Sequence, residues 1–154
     1  MIELKRTNHT DKDFVHLVSQ LNAYLKVIDG KDHEFYMQYN GIEVLNNVVI
    51  AYRDNIPVGC GAFKTYDENS VEIKRMFTQP EFRGKQVATA VLQGLETWAK
   101  ELGFNSCVLE TGKRQIEAVN FYKKNAYQII PNFGQYQGIE NSLCLEKQLN
   151  NEKR

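Results

Sequence analysis

Residues 2–7 (Ile-Glu-Leu-Lys-Arg-Thr) alternate apolar and polar side chains, the period of a strand with one buried face. Phe14, Leu17, Val18, Leu21 and Leu25 then recur at helical spacing, predicting a helix that runs to about Lys26. Thr10 or Asp11 is its natural cap, and Asp29-Gly30 breaks it. A second, shorter helix is expected over 32–39, ended by Asn40-Gly41. Strands follow at 48–53 and 57–66, joined by a hairpin turn at Asp54-Asn55. After a turn at 67–70, a third strand of the meander covers 71–78. Ala88, Val91, Leu92, Leu95, Trp98, Ala99 and Leu102 form one continuous helical stripe, with Gly103 where a C-terminal cap belongs. Residues 106–111 are apolar enough for a buried, parallel strand. A shorter helix at 115–124 puts Ile116, Val119 and Tyr122 on one face, and strands at 127–130 and 142–146 close the chain. The order is β-α-α-β-β-β-α-β-α-β-β. It predicts an α/β (α+β) fold: one mixed sheet with helices on its faces, not a regularly alternating doubly wound one.

The chain has 154 residues, which suits a single domain over 1–154. Hydrophobic residues at 42% and charged residues at 25% describe an ordinary globular chain, and the formal net charge is zero. Duplex nucleic acid leaves a basic footprint on its partners, so nucleic acid is not an expected partner. No apolar run reaches membrane-spanning length and the N-terminus has no signal-peptide core, so a cytoplasmic protein away from membranes is expected. Cys60, Cys107 and Cys144 are odd in number and lie in strand-like contexts, which fits buried free thiols. His9, His16 and His33 lack metal-ligand spacing with one another or with cysteine, so no metal is expected.

The chemistry concentrates at Arg83-Gly84-Lys85-Gln86-Val87-Ala88, followed by Thr89. A strand ends, a glycine turn follows and a long helix begins. The first turn of a helix presents N–H groups without intrahelical partners and a partial positive charge, a natural seat for phosphate. Arg83 and Lys85 add charge, and small Ala88 permits close approach. The segment is neither a Walker loop nor a Gly-x-Gly-x-x-Gly dinucleotide turn. Read alone, it is equally a plain connection with a solvated Arg and Lys.

This segment resembles the motif Gln/Arg-x-x-Gly-x-Gly/Ala of the GNAT N-acetyltransferase family. Arg83 and Ala88 match its ends, while Gln86 stands where the family usually has glycine. Residues 71–77 resemble the family's fourth strand. Residues 109–112 and 117–127 resemble its fifth strand and the helix after it, with Ala126 replacing the usual glycine before the last aromatic. The element order matches throughout, and the likeness is strongest over 71–127. The resemblance implies acetyl-CoA as cosubstrate and an acetyl group moved to a primary amine by direct attack in a ternary complex. It implies that the fourth and fifth strands splay apart, with the pantetheine arm along Met76, Phe77 and Thr78. The pyrophosphate would meet the N–H groups from Arg83 to Thr89, and Asn120 would contact the cofactor arm. Tyr122 would face the thioester sulfur and protonate the leaving thiolate. The Phe77 or Thr78 backbone N–H would support the oxyanion.

The plain alternative for Tyr122 is a core aromatic. Glu72 on the fourth strand is the candidate base, with Glu110 or a water chain as rivals; a strand ion pair is the plain alternative for each carboxylate. His33 and Tyr36 fall where relatives build the acceptor pocket. Arg75, odd within an apolar strand, reads as a buried, paired arginine or as a clamp for a substrate carboxylate. The Phe133–Tyr136 loop either lines that pocket or covers a sheet edge. The implied partner is a small-molecule or peptide amine, with a homodimer open. A non-catalytic acyl-CoA-binding or sensing domain of the same fold is the competing reading.

Overall fold

The computed structural model describes residues 1–29 and 44–149. The second predicted helix at 32–39, and with it His33 and Tyr36, lies outside the described residues. Seven strands form one sheet: β1 Ile2–Thr7, β2 Asn47–Arg53, β3 Ile56–Thr65, β4 Ser70–Thr78, β5 Ser106–Gly112, β6 Gln128–Ile130 and β7 Ser142–Gln148, in the spatial order β1-β2-β3-β4-β5-β7-β6. Helix α1 spans Lys12–Asp29, α2 Val87–Glu101 and α3 Ile116–Lys124. Predicted boundaries differ from these by one to three residues, as fraying ends do. The predicted stripe of α2 stops short of Leu102, which caps the helix and is 55% exposed.

Local chemistry accounts for the joints. Asp11 Oδ1 accepts the Asp13 N–H at 2.9 Å and caps α1, which settles the choice between Thr10 and Asp11. Asp54 and Asn55 both take positive φ (52° and 67°), the geometry of a two-residue hairpin turn matched to strand twist. The sheet separates two cores. Phe14, Leu17 and Leu21 of α1 pack on Val48, Ile50 and Phe77. On the opposite face, Val91, Leu92 and Leu95 of α2 pack on Val49, Phe63 and Ile73. Alternation along β2 sends Val48 and Ile50 one way and Val49 and Ala51 the other.

Every neighbouring strand pair is antiparallel except β4–β5, and that parallel ladder is short. Ser70, Val71 and Glu72 pair with Ser106, Cys107 and Val108; beyond them β5 continues with β7 alone. β4 also bulges. Cys60 pairs with Phe77 and Ala62 with Lys74, so Gly61 opposes both Arg75 and Met76, and Arg75 takes a φ of 62°. A Cβ on Gly61 would lie 2.5 Å from Met76 Sδ and 2.9 Å from Leu95 and Val91, so only glycine lets α2 press on the bulge.

Helices α2 and α3 end in the same motif with different residues. In α2 the Phe104 N–H reaches Ala99 O (3.0 Å) and the Gly103 N–H reaches Lys100 O (3.0 Å), with Gly103 at φ 96°. In α3 the Tyr127 N–H reaches Tyr122 O (3.0 Å) and the Ala126 N–H reaches Lys123 O (3.1 Å), with Ala126 at φ 78°. Both are Schellman caps, and the second holds an L-residue where glycine is favoured. Ala126→Gly should therefore raise stability by about 1 kcal/mol and Tm by about 2–4 °C in a calorimetric scan. A lower Tm would show that the left-handed alanine is not strained.

Candidate functional site

The parting of β4 from β5 opens a cleft of about 690 Å³. Met76, Phe77 and Thr78 of β4 form one wall, Gln115, Ala118 and Phe121 from the α3 side the other, and Tyr24 of α1 closes an end. Arg83, Gly84, Gln86, Val87, Ala88 and Thr89 line the mouth. The strand residues and the loop predicted for cofactor contact thus meet in one place. Lys85 and Asn120 do not share it: both are exposed and neither belongs to the lining. On α3 the lining takes in Glu117, Ala118, Phe121, Tyr122 and Lys124.

The loop is shaped for an anion. Gly84 (φ 78°) and Gln86 (φ 70°) are both left-handed, so Gln86 holds the backbone conformation expected of the glycine it replaces. The first bond of α2 runs from the Ala90 N–H to Gln86 O at 3.0 Å, which leaves the Val87, Ala88 and Thr89 N–H groups beyond the intrahelical ladder. No side chain caps this helix. A helix N-terminus opening into a cleft without a cap is an anion seat. Arg83 lies beside it, with Nε donating to Thr78 O at 3.3 Å and its guanidinium 5.2 Å above the Tyr24 ring.

A second, smaller cavity of about 120 Å³ abuts the cleft on the α1 face. The two share Leu21, Met76, Gln115, Ala118 and Tyr122. Glu72, Lys74, Arg75, Glu110 and Tyr136 also line the smaller one. Glu72 is 3% exposed and accepts the Tyr136 hydroxyl at 3.2 Å; Glu110 accepts the Ser142 hydroxyl at 2.7 Å. Arg75 Nη1 donates to Asn22 Oδ1 of α1 at 3.2 Å. Glu72 is therefore a buried carboxylate, not an exposed strand residue.

Tyr122 is 7% exposed, with Phe121 and Tyr127 edge-on at 5.1 and 5.7 Å. Burial, and then the Glu110 charge, pushes its hydroxyl above the ordinary tyrosine range, so it is a protonated phenol at neutral pH. Tyr136 is raised by burial and then by the Glu72 and Glu110 charges. The Phe133–Tyr136 loop, expected either to line a pocket or to cover a sheet edge, puts Tyr136 on the wall of the smaller cavity. Two contributors went unread in the sequence. Gln115 lines both cavities. Glu96, 8% exposed, accepts the Tyr127 hydroxyl at 2.8 Å and Lys147 Nζ at 3.0 Å, fixing the ring that backs Tyr122. Glu96 falls on the apolar stripe of α2, four residues after Leu92, and that misplaced charge was its signal.

Among the described residues no helix is long and apolar enough to cross a membrane, and no cluster of three His, Cys, Asp or Glu could hold a metal. The three cysteines are free and buried.

Residues 17–127 match the model of the acetyltransferase (GNAT) family. The chain is 29% identical over 150 residues to the IAA acetyltransferase of Azospirillum brasilense, covering 96% of this chain and 98% of that protein. A Klebsiella pneumoniae protein provisionally assigned as an acyl-CoA N-acyltransferase superposes with a TM-score of 0.82 at 28% identity, covering 97% of this chain and 98% of that one. A GNAT family acetyltransferase from Elizabethkingia anophelis, solved with acetyl-CoA bound, shares the fold at a TM-score of 0.66 and 16% identity, covering 96% and 97%. The chain belongs to the GNAT acetyltransferase family and is an acetyl-CoA-dependent N-acetyltransferase.

The ionisation behaviour gives a test. Burial raises Cys60 and Cys107 from 9.0 to about 12 and Cys144 to about 11. Tyr52, Tyr122, Tyr127 and Tyr136 are all raised above 10.0, by burial first. A raised acid holds its proton more tightly folded than unfolded. Its contribution is complete below the unfolded value and is lost as pH climbs toward the folded one. Thermal scans should show a Tm unaffected by these groups up to about pH 8 that then falls, most steeply as the pH passes 10. Tyrosinate absorbance from these four phenols should appear only with unfolding; full ionisation of all eight tyrosines in the folded protein would contradict the burial assigned to them.

Proposed function

We propose that the chain acts as one domain that moves the acetyl group of acetyl-CoA to a primary amine by direct attack in a ternary complex. The observation that carries this reading is the shared wall: a large cleft and a small charged cavity meet at Tyr122, Met76 and Ala118. Acetyl-CoA would occupy the cleft, with its pyrophosphate on the α2 N-terminus and its pantetheine along Met76, Phe77 and Thr78. The fold relative solved with acetyl-CoA supports that ligand class. The amine would enter from the small cavity.

In the proposed reaction the amine nitrogen attacks the thioester carbonyl carbon. The N–C bond forms and the C–S bond breaks. The amine gives up a proton to Glu72, or to Glu110 or a water chain in its place, and the leaving sulfur takes one from Tyr122. The Phe77 or Thr78 N–H would steady the oxyanion. No covalent enzyme intermediate is needed, because holding both reactants together supplies much of the rate.

Free-thiol release from acetyl-CoA across an amine panel tests the reading. Tyr122→Phe keeps the ring packing and removes only the hydroxyl, so kcat should fall about 100-fold or more while acetyl-CoA affinity is retained. Glu72→Gln should depress the rate more than Glu110→Gln. Unchanged turnover in Tyr122→Phe would remove the general-acid role. Tight CoA binding with no thiol release from any amine would instead mark a sensing domain.

A further inference from the structure

The turn into α2 is strained at a residue that is not glycine. Gly84 and Gln86 both take left-handed backbones, at φ 78° and 70°. At Gly84 glycine serves the backbone alone, since a Cβ there would meet nothing within 4 Å. Gln86 holds the same conformation with an L side chain, which brings its Cβ too close to the following carbonyl oxygen. Asn and Asp accept that conformation more readily, because their short side chains bond the local backbone in return. Gln86 has no such compensation: it is the N-cap residue of α2, and its side chain caps nothing. That side chain is exposed at the mouth of the cleft and belongs to its lining. Backbone strain of this kind persists at ligand clamps, where the bound state gains from it.

The seat is short of other donors. The Val87, Ala88 and Thr89 N–H groups lie beyond the intrahelical ladder. A pyrophosphate spreads its negative charge over more oxygens than these N–H groups alone satisfy. The Arg83 guanidinium is already engaged by Thr78 O at 3.3 Å and by the Tyr24 ring at 5.2 Å. Lys85 is exposed and off the lining. On the facing wall Glu117 and Lys124 bring charges of opposite sign. Resting on the reading that acetyl-CoA fills the cleft, we propose that the Gln86 carboxamide is a further binding group for the cofactor, its NH2 donating to the pyrophosphate beside the α2 N–H groups. A carboxamide suits the place, with two N–H donors on a flexible stem and no charge to strip of water. A hydrogen bond to an ionised acceptor is among the stronger ones, so the contact offsets the backbone strain once the ligand is bound. Gln86 thus lowers the stability of the free protein and raises its affinity for the cofactor.

Calorimetric titrations with coenzyme A, dephospho-coenzyme A and pantetheine test the assignment without an acceptor amine. Gln86→Ala keeps the Cβ and the strain and removes only the carboxamide. Its Kd for coenzyme A should rise about tenfold. The same rise is expected with dephospho-coenzyme A, which keeps the pyrophosphate and lacks the 3′-phosphate. Pantetheine, which has no phosphate, should bind the parent chain and Gln86→Ala alike. Gln86→Gly should lose affinity to a similar degree while its Tm rises by about 2–4 °C, because glycine relaxes the left-handed turn. An unchanged Kd in Gln86→Ala, or tighter coenzyme A binding by Gln86→Gly, overturns the assignment. A loss seen with coenzyme A and absent with dephospho-coenzyme A places the contact on the 3′-phosphate and overturns it too. In each of these cases a parent chain that binds coenzyme A far more tightly than pantetheine keeps the anion seat. A parent chain that binds the two alike overturns both readings.

Discussion

β4 and β5 hydrogen-bond in parallel over three residue pairs and then part, and nearly every functional feature follows from that divergence. A sheet that stayed zipped would bury both strand edges and leave no room for a ligand. Here β5 turns to β7 for its partner, β4 keeps β3, and a wedge opens toward the C-terminal end of both strands. Helices α2 and α3 leave from the two sides of this wedge, so the uncapped N-terminus of one faces the Tyr122 surface of the other across it. This is the position in which open α/β sheets hold ligands.

Local strain gathers around the wedge. Gln86 and Arg75 hold left-handed backbones without being glycine, at the anion loop and on the wall of the smaller cavity respectively. Each distortion re-aims something a relaxed backbone would misplace: the N–H groups of the loop in one case, a guanidinium in the other. Ala126 is left-handed too, but it ends α3 at an exposed turn and aims nothing at the cleft. The buried charges are likewise ordered. Glu72 and Glu110 are held by hydroxyls from Tyr136 and Ser142, and Glu96 by Tyr127 and Lys147, so carboxylates removed from water keep hydrogen bonds that offset their desolvation.

Much of this was legible in the chain. The alternation in β1, the apolar run of β2, the stripe of α2 and the Asp54-Asn55 turn are local signals, and local signals survive folding. The Arg83–Ala88 loop and the strand before it were readable for the same reason, since strand, turn and helix start follow one another directly in the chain. Side-chain direction was less legible. On α3 the helix phase, about 100° per residue, decides which side chains line the cleft, and the neighbours that set that phase are distant in sequence. The bulge at Arg75 was invisible, because Val-Glu-Ile-Lys-Arg-Met-Phe reads as a strand whether or not it slips by one residue. Tyr136 sits 64 positions from the Glu72 it bonds, and only the fold brings them together.

The central claim is that the wedge between β4 and β5 is where acetyl-CoA is held. A crystal structure with coenzyme A bound tests it most directly. The account predicts the pantetheine arm between Met76–Thr78 and the α3 face, the pyrophosphate on the Val87, Ala88 and Thr89 N–H groups, and the sulfur beside the Tyr122 hydroxyl. Coenzyme A bound elsewhere, or β4 and β5 paired beyond Glu72 and Val108 with the wedge closed, would contradict it.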